Sequence, residues 1–203
     1  SSLGNLTLIN DTVAGNHGFN MISKYPRADY VCLAQREVAL ETRTLHLTPD
    51  EMVRHVSDRL SCPRVMMTQG SRGTLFYTAP NGFHRAPALA TKVVDRVGAG
   101  DAVLCVTALA VAAGAPPETV PFLGNVVGAE AVTIMGNQRA IERIPMYRHV
   151  ECLLKLHAKA GTHFMRVASS ETRRFDAWPA FYRDVFDPIW QEVEKSGVLP
   201  AKC

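Results

Sequence analysis

The sequence predicts an α/β fold, a parallel β-sheet flanked by helices. Short apolar runs that suit buried strands alternate along the chain with longer runs at helical spacing. Two glycine-containing turns directly follow predicted strand ends, and such sheets bind ligands beyond the carboxyl ends of their strands. At 203 residues, with 47% hydrophobic and 20% charged residues, the chain is long enough to bury a core.

The first half of the chain carries the signals of three strands and three helical segments. Strands are predicted at residues 6–9, 30–33 and 64–68. Helical segments are predicted at residues 19–24 (a single turn), 35–42 and 49–60. The start of the last helix is the clearest, because Thr48 suits an N-cap, Pro49 suits the first helical position and Glu51 places acid in the first turn. Its apolar residues, Met52, Val53, Val56 and Leu60, share one helix face.

The second half begins with tight turns and ends in helices. A turn at 70–73 leads to a strand at 74–78, and a second turn at 80–82 leads to a strand at 83–86. Another strand is predicted at 91–95, where Val93 and Val94 are β-branched. Helices are predicted at residues 99–114, 117–135, 145–159 and 178–195.

The strongest functional signal is the run Gly98-Ala99-Gly100-Asp101 at the start of an apolar helix. A helix start presents unpaired N–H groups and the positive end of the helix dipole, which suits phosphate. A carboxylate there is explained if Asp101 takes the proton from a hydroxyl that attacks phosphorus. The Walker motif is absent, and Val103 stands where the dinucleotide fingerprint needs its third glycine. The alternative is an ordinary tight turn with an acidic helix start.

This run resembles the signature of the ribokinase-type (PfkB) carbohydrate kinases, and its flanks resemble the branch that phosphorylates heptose phosphates. The segments 15–20, 22–33 and 124–132 are similar to that branch, and the resemblance covers residues 3 to 155. It implies a ribokinase-like fold of which this chain is the C-terminal, nucleotide-binding part. It also implies that the amides of Gly98, Ala99 and Gly100 form an anion hole and that Asp101 is the catalytic base.

The same resemblance implies a nucleotide site. Thr68, Gly70 and Gly73 match a Thr-x-Gly-x-x-Gly loop that faces ATP, although a plain hairpin turn explains these residues as well. Asn125 lies in an otherwise apolar helix, where an unpaired amide is unfavourable. The family has an Asn at a similar place beside the adenine, so Asn125 is predicted to line a purine pocket.

Metal ligands are also implied by the resemblance. Asp95, together with the carbonyls of Val97 and Gly136, matches a site for a monovalent cation such as K⁺. The alternative is that Asp95 caps the turn. Glu37 matches the Glu of an Asn-x-x-Glu motif that organises Mg²⁺-bound phosphates, but Ala34 replaces the Asn. This departure predicts weaker Mg²⁺ binding.

Composition limits the partners. The net charge is +3 without a basic block, so nucleic-acid binding is not indicated. The most apolar run, 102–115, is short for a membrane span. The five cysteines follow neither a zinc nor a disulfide pattern, which favours a cytoplasmic location.

The expected partner is a small sugar or sugar phosphate, and a homodimer or pairing with an N-terminal half is a further expectation. Residues 1–155 are predicted to form the catalytic domain, and 156–203 a helical extension of unknown role. Two other functions stay open. One is a nucleotide-binding module without catalysis, and the other is an interaction fragment.

Overall fold

The fold is built on a five-stranded sheet whose strands follow one another in chain order. A computed structural model of the chain describes residues 8–9, 21–43, 46–90, 92–142, 144–146 and 148–150. In spatial order the strands are β1 (Leu8–Ile9), β2 (Tyr30–Ala34), β3 (Arg64–Thr68), β4 (Thr74–Thr78) and β5 (Gly82–Ala86). The α/β class is confirmed.

The sheet is mixed, and this refines the prediction of a parallel sheet. Strands β1, β2 and β3 run parallel, whereas β4 and β5 continue the sheet in antiparallel pairing. The connections at 69–73 and 79–81 are short turns, and only antiparallel neighbours can be joined so closely. The longer connection between β2 and β3 holds two helices, as a parallel crossover requires.

In the part of the chain that the structure describes, four helices of eight residues or more and three short 3₁₀ turns accompany the sheet. The helices are α1 (Gln35–Thr42), α2 (Pro49–Arg59), α3 (Ala99–Ala112) and α4 (Thr119–Ala131). The 3₁₀ turns are Ile22–Lys24, Gly70–Arg72 and Met135–Asn137. The predicted cap of α2 is confirmed, because the Thr48 hydroxyl accepts from the Glu51 amide at 3.3 Å while the Glu51 carboxylate accepts from the Thr48 amide at 2.7 Å.

The two faces of the sheet bury different helices because strand side chains alternate. One face places Tyr30, Cys32, Met66 and Phe76 against α3 and α4. The other places Val31, Leu33, Val65, Met67 and Leu75 against α1 and α2. The predicted apolar face of α2 lies in this second core. The result is a sheet enclosed between two helical layers.

The strand predicted at 91–95 is wrong for the part that the structure describes. Residues 92–97 form no strand, and Val93 and Val94 are 51% and 40% exposed. The amides of Val94 and Asp95 instead donate to the carbonyl of Val132, at 2.7 and 3.1 Å. This carbonyl lies at the end of α4, so the last turn of that helix takes the place of a neighbouring strand.

Three predicted helices are shorter in the structure or extend beyond the described residues. The helix predicted at 117–135 is shorter, because α4 ends at Ala131 and a 3₁₀ turn follows. Residues 144–146 and 148–150 are helical, in agreement with the start of the helix predicted at 145–159. The rest of that helix, the helix at 178–195, the extension at 156–203 and the segment at 15–20 lie outside the described residues.

Candidate active site

The carboxyl ends of β2 and β3 form the edge on which the candidate site is built. Ala34 and Thr68, the last residues of these strands, are in register with each other, and Thr68 also pairs with Thr74 across the hairpin. Helix α1 begins directly after β2, and the Gly70–Arg72 turn directly after β3. Ligands of α/β sheets bind beyond this kind of edge.

The first glycine turn is held by contacts within the chain. The Gln69 amide donates to the Gly73 carbonyl at 2.8 Å, and the Gly73 amide donates to the Gly70 carbonyl at 3.0 Å. Gly73 has φ +89°, and a Cβ built there would lie 2.0 Å from the carbonyl oxygen of Ala86. Gly73 therefore makes a close approach to the chain itself. A Cβ at Gly70, by contrast, would meet nothing within 4 Å.

Three polar side chains that the sequence analysis missed tie this turn to α1. The Gln35 side-chain oxygen accepts from the side-chain amide of Gln69 at 3.2 Å and from the guanidinium of Arg72. Gln35 is the first residue of α1, so the bonds join the helix start to the turn after β3. The sequence signal was present, since each residue directly follows a strand end or lies in the adjacent turn.

The second glycine turn opens onto solvent. Gly98 has φ +76° and acts as the N-cap of α3, where its carbonyl accepts from the Ala102 amide at 3.0 Å. The Ala99 amide donates back to the Arg96 carbonyl at 3.3 Å. A Cβ at Gly100 would meet nothing within 4 Å, so the approach to this turn is not filled by packed core. Asp101 lies in the first turn of α3 and is exposed.

The carboxylate of Asp95 stabilises this second turn through two hydrogen bonds. One oxygen of Asp95 accepts from the Val97 amide at 3.0 Å, and the other accepts from the Gly136 amide at 2.9 Å. These two bonds lower the pKa of the Asp95 carboxyl below its ordinary value. The structure thus brings together the three residues predicted to hold a monovalent cation. The observed contacts use their amides, as expected if Asp95 caps the turn.

The carboxylate of Glu37 lies at the end of β2. Glu37 accepts from the Ala34 amide at 2.6 Å, which caps the start of α1. Burial raises the pKa of the Cys32 thiol to about 12, and the negative charges of Glu37 and Asp101 act in the same direction. Both carboxylates therefore lie close enough to Cys32 on β2 for their charges to affect the pKa of its thiol.

Asn125 is buried and paired within the chain. Its side-chain nitrogen donates to the Thr74 hydroxyl at 3.0 Å and to the Ala86 carbonyl at 2.9 Å. The amide therefore fastens α4 to β4 and β5, and this accounts for a polar residue in an apolar helix. Both amide protons are used, so a contact to a purine is left to the side-chain oxygen and stays a prediction.

The described ranges contain neither a metal cluster formed by the protein alone nor a membrane-spanning helix. Within them, no three His, Cys, Asp or Glu side chains converge as a protein-bound metal cluster requires. None of the helices described is long and apolar enough to cross a bilayer.

Comparison with known proteins defines the class first. Among solved structures, the fold is similar to ribokinase from Thermotoga maritima, with 26% identity and a TM-score of 0.54 over 61% of this chain and 42% of that protein. It is similar in fold to the phosphofructokinase-2 of Escherichia coli in complex with potassium, with 20% identity and a TM-score of 0.55 over 63% of this chain and 42% of that protein. The chain has a partial ribokinase-like fold.

The sequence comparison then gives the family. The profile of the pfkB family carbohydrate kinases matches residues 16–144, which is more than half of the chain. The chain belongs to this family.

Relatives among curated proteins are more distant. The bifunctional protein HldE of Bradyrhizobium diazoefficiens is 33% identical over 105 residues, which cover 50% of this chain and 21% of that protein. HldE of a second Bradyrhizobium strain is 30% identical over 115 residues, which cover 55% of this chain and 24% of that protein. The chain thus spans less than a quarter of these relatives.

Proposed function

We propose that this chain carries the nucleotide-binding and catalytic edge of an ATP-dependent kinase that phosphorylates a hydroxyl of a sugar or sugar phosphate. The observation that carries the proposal is the open turn at the start of α3. There a carboxylate lies in the first helical turn and a glycine position faces open space. Phosphoryl transfer requires placement and charge stabilisation, and this turn supplies both.

The side chain and the backbone amides at the start of α3 each have a role in this proposal. The carboxylate of Asp101 accepts the proton of the attacking hydroxyl. The amides of Gly98, Ala99 and Gly100 stabilise negative charge on the phosphoryl group, aided by the dipole of α3. The bond from Ala99 to the Arg96 carbonyl is long at 3.3 Å, so this amide is only weakly engaged before substrate arrives.

The nucleotide is placed along the first turn. Thr68 and Gly70 face the phosphates or ribose, since both lie at the end of β3 and a Cβ at Gly70 would meet open space. Gly73 contributes by fixing the turn against Ala86. The side-chain oxygen of Asn125 is the proposed contact to the purine.

The residues present fit a phosphate-bound Mg²⁺ and a monovalent cation. Glu37 would hold Mg²⁺ through water, and the cation would neutralise phosphate charge when bound. Asp95, with the carbonyls of Val97 and Gly136, would hold K⁺, since the turn brings these residues together. A heptose phosphate is the favoured acceptor because the curated relatives are HldE proteins. The cytoplasm is the expected location.

The test compares the parent chain with Asp101→Asn. MgATP binding is measured by calorimetry, and transfer of phosphate from ATP is measured over a panel of sugars and sugar phosphates that includes heptose phosphates. We expect Asp101→Asn to bind MgATP within about twofold of the parent and to lose ~100-fold or more in transfer rate. The matched control is Asp58→Asn, an exposed carboxylate on α2, which should leave both quantities unchanged.

Two results would contradict the proposal. Near-normal transfer by Asp101→Asn would show that this carboxylate is not the base. MgATP binding by the parent without transfer to any acceptor would favour a nucleotide-binding module. Light scattering on the same samples reports whether the chain forms a homodimer.

A further inference from the structure

A buried chain of hydroxyl groups joins the sheet to α3. The phenol of Tyr30 on β2 donates to the Thr107 hydroxyl on α3 at 2.7 Å. That hydroxyl donates in turn to the carbonyl of Val103, one helical turn earlier, at 2.6 Å. Tyr30 and Thr107 are both fully buried. The hydrogen bonds thus run from the strand through one side chain into the backbone of the helix.

Burial alone does not explain this pair. The surrounding core is apolar, and a buried hydroxyl without a hydrogen-bond partner destabilises the fold. Two apolar side chains of similar shape would fill the same space without that requirement. The Tyr30 phenol also contacts the Met66 sulfur at 3.6 Å and the Cys32 thiol, and sulfur is a weak hydrogen-bond partner. What the hydroxyl pair adds over apolar packing is a fixed point along the helix axis.

This fixed point lies a short distance below the candidate base. Asp101 precedes Thr107 by six residues, or ~9 Å along the helix. On β2, Cys32 follows Tyr30 on the same face, ~7 Å toward the carboxyl edge. The negative charge of Asp101 contributes, after burial, to the raised pKa of the Cys32 thiol, which supports a position of the start of α3 near that end of the strand. The helix is therefore anchored to β2 ~1.7 turns after Asp101.

On its other side, α3 packs apolar groups against α4 at this level. A Cβ at Gly124 of α4 would lie 2.5 Å from the Met66 methyl, 3.3 Å from the Thr107 methyl and 3.5 Å from a Val103 methyl. The methyl of Thr107 thus packs toward α4 while its hydroxyl points to β2. Apolar contacts tolerate a small slide of the helix, whereas a short hydrogen bond weakens quickly with distance.

We propose that Tyr30 and Thr107 are positioning residues of the active site: their hydrogen bond sets how far the start of α3, and with it Asp101, extends beyond the end of β2. The proposal rests on the proposed function, because only that function makes Asp101 the base. A displacement of ~1 Å at a reacting group can reduce a rate ~100-fold. The nucleotide turn follows β3, so loss of the anchor affects transfer more than ATP binding.

The experiment uses four variants of the full chain. Tyr30→Phe and Thr107→Val each remove one hydroxyl with little change of shape, and the double variant removes both. Thr107→Ser keeps the hydroxyl and is the matched control. For each we measure MgATP affinity, transfer rate to the best acceptor of the panel, the pH profile of that rate, and the free energy of unfolding in urea.

Amide hydrogen exchange supplies a readout that needs no activity. The Ala102 amide makes the first intrahelical bond of α3, to Gly98, and the Met52 amide makes the equivalent bond of α2, to Thr48. We expect Tyr30→Phe and Thr107→Val to reduce protection of the Ala102 amide about tenfold relative to the Met52 amide. Thr107→Ser should leave that ratio at the parent value.

The expected kinetic pattern is specific to a positioning role. Each hydroxyl deletion should lower the transfer rate about tenfold, with MgATP affinity within twofold and an unchanged pH profile. The double variant should be no slower than either single variant, because both act through one bond. Additive losses, or equal losses in Thr107→Ser and Thr107→Val, would overturn the proposal.

Failure of the two proposals can be told apart. If the parent chain transfers no phosphate, the proposed function fails for this chain, and the exchange ratio still decides whether the hydroxyl pair anchors α3. If the parent is active and the ratio is unchanged in both deletion variants, the anchor is refuted while the assignment of Asp101 stands.

Discussion

The two glycine turns at the carboxyl edge differ in what surrounds their glycines. In the turn at 70–73, Gly73 lies so close to Ala86 that no side chain fits, and side chains of α1 and the turn hold it in place. In the turn at 98–101, Gly100 faces open space, and the support comes from below through Asp95. Both motifs look alike in sequence.

This difference separates glycines that folding requires from glycines that a ligand requires. A glycine pressed against its own chain is explained by the fold and needs no substrate. A glycine at a helix start with nothing near it costs helix stability and has no packing reason. The second kind is therefore the better indicator of a binding site, and it points to the turn that precedes Asp101.

The largest expected effect is that of Gly73→Ala. The added methyl would overlap the Ala86 carbonyl, and φ +89° with ψ −141° is a conformation that residues with a Cβ avoid. We expect the free energy of unfolding to fall by about 3 kcal/mol or more, measured by urea denaturation. A loss below ~1 kcal/mol would show that the turn can move away from β5.

Gly100→Ala should do the reverse. The methyl has room and alanine is the better helix former, so the free energy of unfolding should stay the same or rise by up to ~1 kcal/mol. The methyl would occupy the approach to the helix start, and we expect the phosphate transfer rate to fall ~10-fold or more. An alanine variant that folds and transfers phosphate at the parent rate would remove the distinction between the two turns.

How far the sequence leads depends on whether a feature is local. The strands at 64–68 and 74–78 and the helix at 35–42 match the predicted bounds, because apolar runs, caps and turns lie next to each other in the chain. Val93 and Val94 also have a strong strand signal, yet they form no strand. Whether a strand forms depends on a neighbour to pair with, and here the end of α4 takes that place.

The site divides in the same way. The sequence placed Asp101 and the glycines at a helix start, since motif and helix signal are adjacent. It could not show that the Asn125 side-chain amide donates both its protons to Thr74 and Ala86, because those partners are far away in the chain. The same holds for Gln35 and Arg72, whose contact joins two different loops. Long-range polar partners need the fold.

Ala34→Asn should stabilise the start of α1, which lies next to the first glycine turn. Ala34 is the N-cap of α1 and has extended backbone angles, but its side chain offers no acceptor. An Asn there would complete the capping pair with Glu37, and we expect the free energy of unfolding to rise by ~0.5–2 kcal/mol. It would also supply the polar residue that the Mg²⁺ motif lacks, so MgATP affinity should rise. Ala39→Asn, inside the same helix, is the control and should give neither gain.

The smallest expected effect concerns the Asp95 carboxylate, which stabilises the second turn. Asp95→Asn keeps one acceptor oxygen and loses the other, so the turn loses the hydrogen bond from the amide of either Val97 or Gly136. The folded protein lowers the pKa of Asp95 below its ordinary value of 3.8, so this carboxylate stabilises the fold above that pH and its contribution fades as the pH falls further. The parent should therefore be more stable than Asp95→Asn at pH 7, and the gap should close on acidification below pH ~4. Urea denaturation at a series of pH values measures it, with Asp58→Asn as the control. A gap that does not depend on pH would mean that the charge of Asp95 does not steady the turn.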